Sequence, residues 1–243
     1  MSYNLYPIFI KELRSYFQSK MVWFVFVVYA LLSISLTFFQ SSFLTETTPS
    51  MIVFFKIQQN LFLSIIPALT IKLWSDEKRI GTLELTLSLP ISYLTLVIGK
   101  FFAVWCLCGL MLITTFGIWL SCMFLTSLNS WAILQNYFIM WLVCGSLCSV
   151  SLASSIFTSH AVSAFVASLA VCLIVALPNF SFLFQQAGVS SEILLRMGES
   201  ISFGSHFTDM ISGQINISSL AYFILLIVTA LYFNTIVIGW WRK

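Results

Sequence analysis

Long stretches without a charged residue constrain the fold of this chain more than any other feature. The stretches from Met21 to Phe39 and from Phe101 to Leu125 are uncharged and almost entirely apolar. A helix of about 20 mainly apolar residues spans the hydrocarbon core of a bilayer. Only 8% of the 243 residues are charged and 60% are hydrophobic, whereas soluble domains carry about 25% charged residues. The sequence therefore predicts an integral membrane protein.

Hydropathy predicts an all-α polytopic membrane protein with six transmembrane helices, in a single domain that covers residues 1–243. The approximate bounds of the spans are 21–39, 53–73, 96–125, 131–157, 161–184 and 219–241. Only Thr158-Ser159-His160 separates the fourth span from the fifth, so that boundary is the least distinct. An even number of spans places both termini on the same side of the membrane.

The distribution of basic residues predicts the orientation. If the N-terminus is cytoplasmic, only Lys56 and Arg196 of the 11 Lys and Arg residues fall on the outer side. Because cytoplasmic loops are enriched in Lys and Arg, we expect both termini in the cytoplasm. Five tryptophans near predicted span ends fit the aromatic belts of membrane interfaces: Trp23, Trp74, Trp131, Trp240 and Trp241. The net charge of +3 is too small to indicate a nucleic-acid partner.

Residues 4–19 are predicted to form an amphipathic helix before the first span. At 100° per residue its apolar side chains share one face, namely Leu5, Phe9, Leu13 and Tyr16. The opposite face is polar and carries Lys11, Arg14, Ser15 and Gln18. We expect this helix to lie on the cytoplasmic leaflet, with Ile8 and Glu12 fitting the pattern poorly. The alternative is that the segment only anchors the first span.

The most polar segment is the predicted cytoplasmic loop from Lys72 to Lys100. Its charges cluster at Asp76-Glu77-Lys78-Arg79, and leucines alternate with polar residues from Leu83 to Leu89. This alternation formally favours a strand, but a lone strand would leave its edges unpaired. A short helix that ends at Pro90 is the alternative, and the residue pattern leaves both open. In the outer segment 185–219 we expect one or two short amphipathic helices.

The sequence lacks the motifs of an enzyme or of a self-powered pump. It contains no G-x-x-x-x-G-K-[ST], G-x-S-x-G or H-E-x-x-H. Its two histidines, His160 and His206, lie in separate predicted loops. Cys144 and Cys148 are one helical turn apart and could form a metal pair, but small buried residues are the simpler interpretation. We expect no catalytic, cofactor or metal site, and no ionisable residue falls at the middle of a predicted span.

Four short motifs follow one another through the polar loop. They are Leu73-Trp74-Ser75-Asp76-Glu77-Lys78-Arg79, Gly81-Thr82-Leu83-Glu84-Leu85, Leu89-Pro90-Ile91-Ser92 and Gly99-Lys100-Phe101. In order and spacing they resemble the signature of ABC-2 type transporter permeases, in the subfamily of gliding-motility-associated and copper-reductase-maturation permeases. The resemblance implies a bacterial inner-membrane exporter subunit with an N-terminal interface helix. It also implies a coupling helix over Thr82–Leu89, between the second and third spans, and an outer element between spans five and six.

The same resemblance implies the partners of the chain. Such permeases pair with a second copy or a paralogue and bind separate ATPase subunits, so ATP hydrolysis would not belong to this chain. The implied contacts with the ATPase are Asp76, Glu77, Lys78, Arg79, Gly81, Thr82, Leu83, Glu84, Leu85, Leu87 and Pro90. Two alternatives stay open: the charges are only a solvated loop, or the chain is a non-transporting anchor that recruits an ATPase.

Overall fold

The computed structural model describes residues 5–39, 51–83, 86, 92–125, 130–158, 160–176, 202–213 and 216–241. Nine helices have both ends within these ranges: α1 Leu5–Gln18, α2 Lys20–Phe39, α3 Met51–Ile80, α4 Tyr93–Thr114, α5 Phe116–Leu125, α6 Ser130–Ser155, α7 Ala161–Ala176, α8 Phe203–Ile211 and α9 Ile217–Trp241. These ranges contain no strand. The predicted all-α class is therefore confirmed.

Five helical stretches are long and apolar enough to cross a membrane, which is compatible with a multi-pass membrane protein. They are α2, α3, α6, α9 and the stretch Tyr93–Ser121, which joins α4 to α5. α7 is also apolar but has only 16 residues, and residues 177–184 of the predicted fifth span lie outside the described ranges. Six spans therefore stay a prediction. α8 is a short helix within residues 185–219, where short helices were expected.

α3 is longer than the span predicted over residues 53–73. It continues through the charged cluster to Ile80, and 30 helical residues extend about 45 Å, against about 30 Å for the hydrocarbon core. The prediction of a loop is therefore wrong for residues 72–80, because charged side chains that have partners or reach water do not oppose a helix. The helix ends at Gly81, whose φ of 77° is a left-handed conformation that glycine adopts without strain.

The third predicted span is interrupted at Thr115. The Thr115 hydroxyl donates to the carbonyl oxygen of Leu112 at 2.7 Å, and hydroxyls that bond back in this way often bend helices. Tyr137 on α6 donates its hydroxyl to the Thr115 carbonyl oxygen at 3.2 Å. A backbone group that leaves the helical pattern inside a membrane protein needs such a partner. The prediction of one uninterrupted helix over 96–125 missed this break.

α6 is the central helix, and α3, α4, α7 and α9 pack against it. Hydroxyl groups link it to its neighbours: Thr70 and Ser151 lie 2.5 Å apart between α3 and α6, and Ser154 donates to Ser168 on α7 at 2.9 Å. Interhelical hydrogen bonds of this kind stabilise packing where the surroundings are apolar. The bundle thus combines apolar packing with a few polar links.

α4 and α6 cross through two matching Trp-x-x-x-Gly segments. The indole N–H of Trp105 donates to the Trp141 carbonyl oxygen at 2.8 Å, and that of Trp141 donates to the Trp105 carbonyl oxygen at 3.1 Å. The two rings stack with centroids 4.3 Å apart. Each ring covers a glycine of the facing helix, since Trp105 lies over Gly145 and Trp141 lies over Gly109. The glycines leave the space that this ring exchange requires.

Replacing Gly145 by alanine tests this crossing. The added Cβ would lie 2.8 Å from Trp105 Nε1, so we expect Gly145→Ala to lower the thermal unfolding temperature of the detergent-purified protein. Gly239→Ala is the matched control, because no atom lies within 4 Å of its added Cβ and alanine favours a helix over glycine by about 1 kcal/mol. Equal or greater stability of Gly145→Ala would contradict the close crossing.

Candidate functional site

A fully buried lysine joins three helices at the end of the bundle that carries the polar loop. The Lys100 ammonium on α4 lies 2.6 Å from Glu77 Oε1 on α3 and 3.1 Å from Glu12 Oε1 on α1. It also donates to the Leu73 carbonyl oxygen at 3.0 Å. An ammonium group has three donors, and here each has an acceptor. We call Lys100, Glu12, Glu77 and the Leu73 carbonyl the lysine junction.

The Trp74 ring packs against the lysine junction. Its indole ring is fully buried, and Lys100 Nζ lies 4.9 Å from the ring centroid. A cation over a tryptophan face gains electrostatic attraction when it is removed from water. The prediction that Trp74 belongs to an interfacial aromatic belt is therefore wrong, because the lysine junction draws it into the core. Trp23, Trp131 and Trp240 are exposed, as such a belt requires.

The residue before Lys100 lets α1 come close to α4. A Cβ added at Gly99 would lie 2.7 Å from Ile8 Cγ2 and 3.2 Å from Ile8 Cβ. Only glycine leaves room for this side chain at the contact. One helical turn further along α1, Glu12 reaches Lys100. The pair Gly99-Lys100 therefore supplies both the space and the charge that hold α1 against α4.

α1 contacts the protein through the predicted face, which is extended on one side by Ile8 and Glu12. Ile8 packs on Gly99, and Glu12 and Tyr16 are buried. Ile8 and Glu12, which fitted the amphipathic pattern poorly, therefore point inward. Of the predicted apolar face, Leu5, Phe9 and Leu13 are half-buried and Tyr16 is buried. The face is extended because an ion pair and a close approach bring these two residues inward, and hydropathy detects neither.

Tyr16 fixes the C-terminal end of α1 to α3. Its hydroxyl donates to the Leu69 carbonyl oxygen at 2.8 Å. Burial raises the pKa of this phenol well above its usual range, and the neighbouring Glu12 charge raises the pKa further. The hydroxyl therefore stays protonated and keeps donating. Beside it, Lys72 donates to the hydroxyl of Ser19, the residue between α1 and α2.

The loop between α3 and α4 has structured ends. Gly81 terminates α3 by donating its N–H to the Lys78 carbonyl oxygen at 3.2 Å. Thr82, Leu83 and Thr86 are helical, which favours the helix over the strand for the residues that can be compared. Ser92 begins α4 as its N-cap, because its hydroxyl accepts from the Thr95 N–H at 3.2 Å. Of the predicted coupling residues, Glu84, Leu85, Leu87 and Pro90 lie outside the described ranges.

The remaining predicted coupling residues face in different directions. Glu77 points into the lysine junction, and Lys78 donates to the Ile156 carbonyl oxygen at the end of α6. Leu83 is buried in the core. The surface carries Arg79, paired with Asp76 at 3.5 Å, together with Gly81, and Thr82 is half-buried. Of these residues, some make contacts inside the bundle and others form exposed surface.

The other sequence candidates are the cysteines and the two histidines. No group of three or more His, Cys, Asp and Glu side chains in the described ranges is arranged to hold a metal ion. Cys144 and Cys148 are buried, and Cys148 Sγ lies within hydrogen-bonding distance of Cys108 Sγ, at 3.6 Å, with both thiols free of a disulfide. His206 lies 2.9 Å from the Ser219 hydroxyl and stacks on Tyr222, whereas His160 is exposed.

The lysine junction can transmit a displacement between helices. Buried charges tolerate little separation, because each uncompensated charge in a medium of low polarity costs several kcal/mol. A movement at the end of α3 that carries Glu77 must therefore carry Lys100 and Glu12, and with them α4 and α1. Glu77 Oε2 is buried and has no hydrogen-bond partner within the described ranges. This oxygen could therefore accept a further hydrogen bond.

Comparison with known proteins gives no family for the chain. No protein-family model matches it, and no curated protein matches it significantly. The ABC-2 resemblance therefore depends on short sequence motifs, chiefly those of the polar loop.

Removing the lysine charge tests whether the junction holds the three helices. We expect Lys100→Met to lower the free energy of unfolding by about 3–5 kcal/mol, because it leaves two carboxylates buried without a cation. Asp76→Asn is the control: it removes the Asp76–Arg79 pair, which lies at the surface and should contribute about 1 kcal/mol or less. Both are measured by thermal or denaturant unfolding in detergent.

A compensating variant separates lost charge pairing from lost packing. The triple variant Lys100→Met, Glu12→Gln, Glu77→Gln removes all three charges and keeps the side-chain volumes similar. Replacing a buried ion cluster by neutral groups is often close to neutral, so we expect it to regain most of the stability. A triple variant as unstable as Lys100→Met alone would contradict an electrostatic role.

Proposed function

We propose that this chain is the six-span permease subunit of an ABC-2 type exporter in a bacterial inner membrane, with both termini in the cytoplasm. In this proposal a separate ATPase subunit supplies the energy, and a second copy or a paralogue completes the transport path. The observation that carries the proposal is the lysine junction. It joins the helix before the loop, the helix after the loop and the N-terminal helix through a single buried cation.

The proposed mechanism is mechanical. An ATPase that closes around ATP would push on the surface near Arg79 and Gly81, at the end of α3. Because Glu77 lies one turn before this end and is paired with the buried Lys100, the push would shift α4 and α1 together with α3. Packed helices move between discrete arrangements and do not deform continuously. The membrane path would then open and close in step with ATP.

The loop motifs match the parts that such a device needs. Gly81 stops α3 in a left-handed turn, and Ser92 starts α4 as an N-cap. The loop therefore begins at a defined residue, Gly81, and ends at a defined residue, Ser92. Gly99 and Lys100 then fix α1 against α4. This is why the spaced motifs, and not the composition alone, support a coupling loop.

Ile80 is the most direct probe of a partner on this surface. Its side chain is a large apolar group that is 68% exposed next to Arg79 at the end of α3. Leu83 was also predicted to contact the ATPase, but its side chain is buried. Substitution there would disturb the core, so Ile80 gives the clearer result.

We expect a photo-crosslinking residue at position 80 to capture an ATPase in living cells. Ile80→p-benzoylphenylalanine should give, on illumination, a covalent adduct that mass spectrometry identifies as a P-loop ATPase. The same residue in place of Leu225, which is 64% exposed on the apolar helix α9, should give no such adduct. Adducts at position 80 that never contain a P-loop protein would contradict the proposal.

Coupling separates a transporter from a passive anchor. In vesicles that contain the co-purified complex, Glu12→Gln should leave the ATPase bound, because Glu12 lies inside the bundle. It should nevertheless change the rate of ATP hydrolysis, because it weakens the link between α1 and α4. A bound ATPase whose hydrolysis rate is the same in the wild type and in Glu12→Gln would favour the anchor.

A further inference from the structure

The outward surface of α1 carries positive charge without a compensating acid. Glu12, the one acidic residue of the helix, is turned inward to Lys100. Lys11 and Arg14 are exposed one turn apart, and neither forms an ion pair within the described ranges. Because the lysine junction holds Glu12 inside, the charged side chains on the outer side of α1 are all basic.

The same surface carries exposed apolar and aromatic side chains. Tyr6 is 69% exposed, and Ile10 and Phe17 are each 39% exposed. Together with Lys11 and Arg14 they form what we call the α1 outer face. A shallow groove of about 690 Å³ runs along this face, lined by Tyr6, Pro7, Ile10, Lys11, Arg14, Ser15 and Gln18. The groove thus offers cations and hydroxyls next to apolar contacts.

The α1 outer face is continuous with the apolar surface of α2. Only Ser19 separates the two helices. Across this corner the Phe17 and Trp23 rings lie 6.1 Å apart, and the Trp23 indole N–H donates to the Phe17 carbonyl oxygen at 2.9 Å. Trp23 is itself exposed. An exposed tryptophan between an apolar spanning helix and basic residues is typical of the headgroup region of a membrane.

The orientation of this face is fixed from inside the protein. Tyr16 donates to the Leu69 carbonyl oxygen, and Glu12 binds Lys100, so α1 cannot roll about its axis without breaking both contacts. Lys72 fixes the corner at Ser19. The basic and aromatic side chains are therefore presented together on one side of α1.

We propose that the α1 outer face binds the headgroups of anionic phospholipids in the cytoplasmic leaflet. Lys11 and Arg14 would contact the phosphates, while Tyr6, Ile10 and Phe17 insert among the upper acyl carbons. Basic residues next to a membrane gain affinity for anionic lipids, and apolar side chains add to it. An acidic protein partner would match the charges but not the continuity with α2 and Trp23.

Lipid binding to the purified full-length chain tests this inference directly. Native mass spectrometry in detergent would compare phosphatidylglycerol with phosphatidylcholine of the same acyl chains. We expect the wild type to retain phosphatidylglycerol preferentially. Lys11→Gln and Arg14→Gln should each weaken its binding about fivefold, the factor expected for one juxtamembrane charge. Binding of phosphatidylcholine should not change, and added salt should reduce the preference.

Lys56→Gln is the matched control, because Lys56 is exposed toward the opposite end of α3 and also carries one positive charge. It should bind phosphatidylglycerol like the wild type. All variants should unfold at the wild-type temperature, since the substituted side chains are exposed. The inference is overturned if the wild type shows no preference for phosphatidylglycerol over phosphatidylcholine. It is also overturned if Lys56→Gln loses the preference as strongly as the two α1 variants.

Discussion

A single buried ammonium group determines how this end of the molecule is arranged. Lys100 lies among apolar helices with no access to solvent, and such a charge is stable only when all its donors are bound. Two carboxylates and a backbone carbonyl from two other helices satisfy this requirement. The positions of α1 and of the end of α3 follow from it, because loss of either carboxylate would leave the buried ammonium group without full charge compensation.

The same interaction links the inside of the protein to two of its surfaces. Because Glu77 turns inward, the end of α3 presents Arg79 and Ile80 to the solvent, where we propose that an ATPase docks. Because Glu12 also turns inward, the outer side of α1 keeps only its basic residues, where we propose that anionic lipids bind. A displacement of the end of α3 or of α1 would be transmitted to the other helix through Lys100. This connection gives the permease proposal a physical basis that hydropathy alone does not supply.

Much of the architecture could be predicted from the sequence, because apolar length alone identifies helices such as α2, α6 and α9. The break at Thr115 could not, since it depends on Tyr137 from another helix. The inward position of Ile8 and Glu12 on α1 was also missed, although the poor fit of Glu12 to the amphipathic pattern was the signal: an acid among apolar and basic residues requires a partner. The loop motifs pointed to the right region, but that Gly99 makes space and Lys100 makes the ion pairs is visible only in three dimensions.

Hydrogen–deuterium exchange of the α1 amides measures the central claim most directly. If Lys100 holds α1 in place, Lys100→Met should speed exchange throughout residues 8–18 in lipid nanodiscs. Exchange in α9 should stay unchanged, because this helix makes none of the junction contacts. Unchanged protection of α1 in the variant would contradict the account, since α1 would then be held by apolar packing without the buried charge.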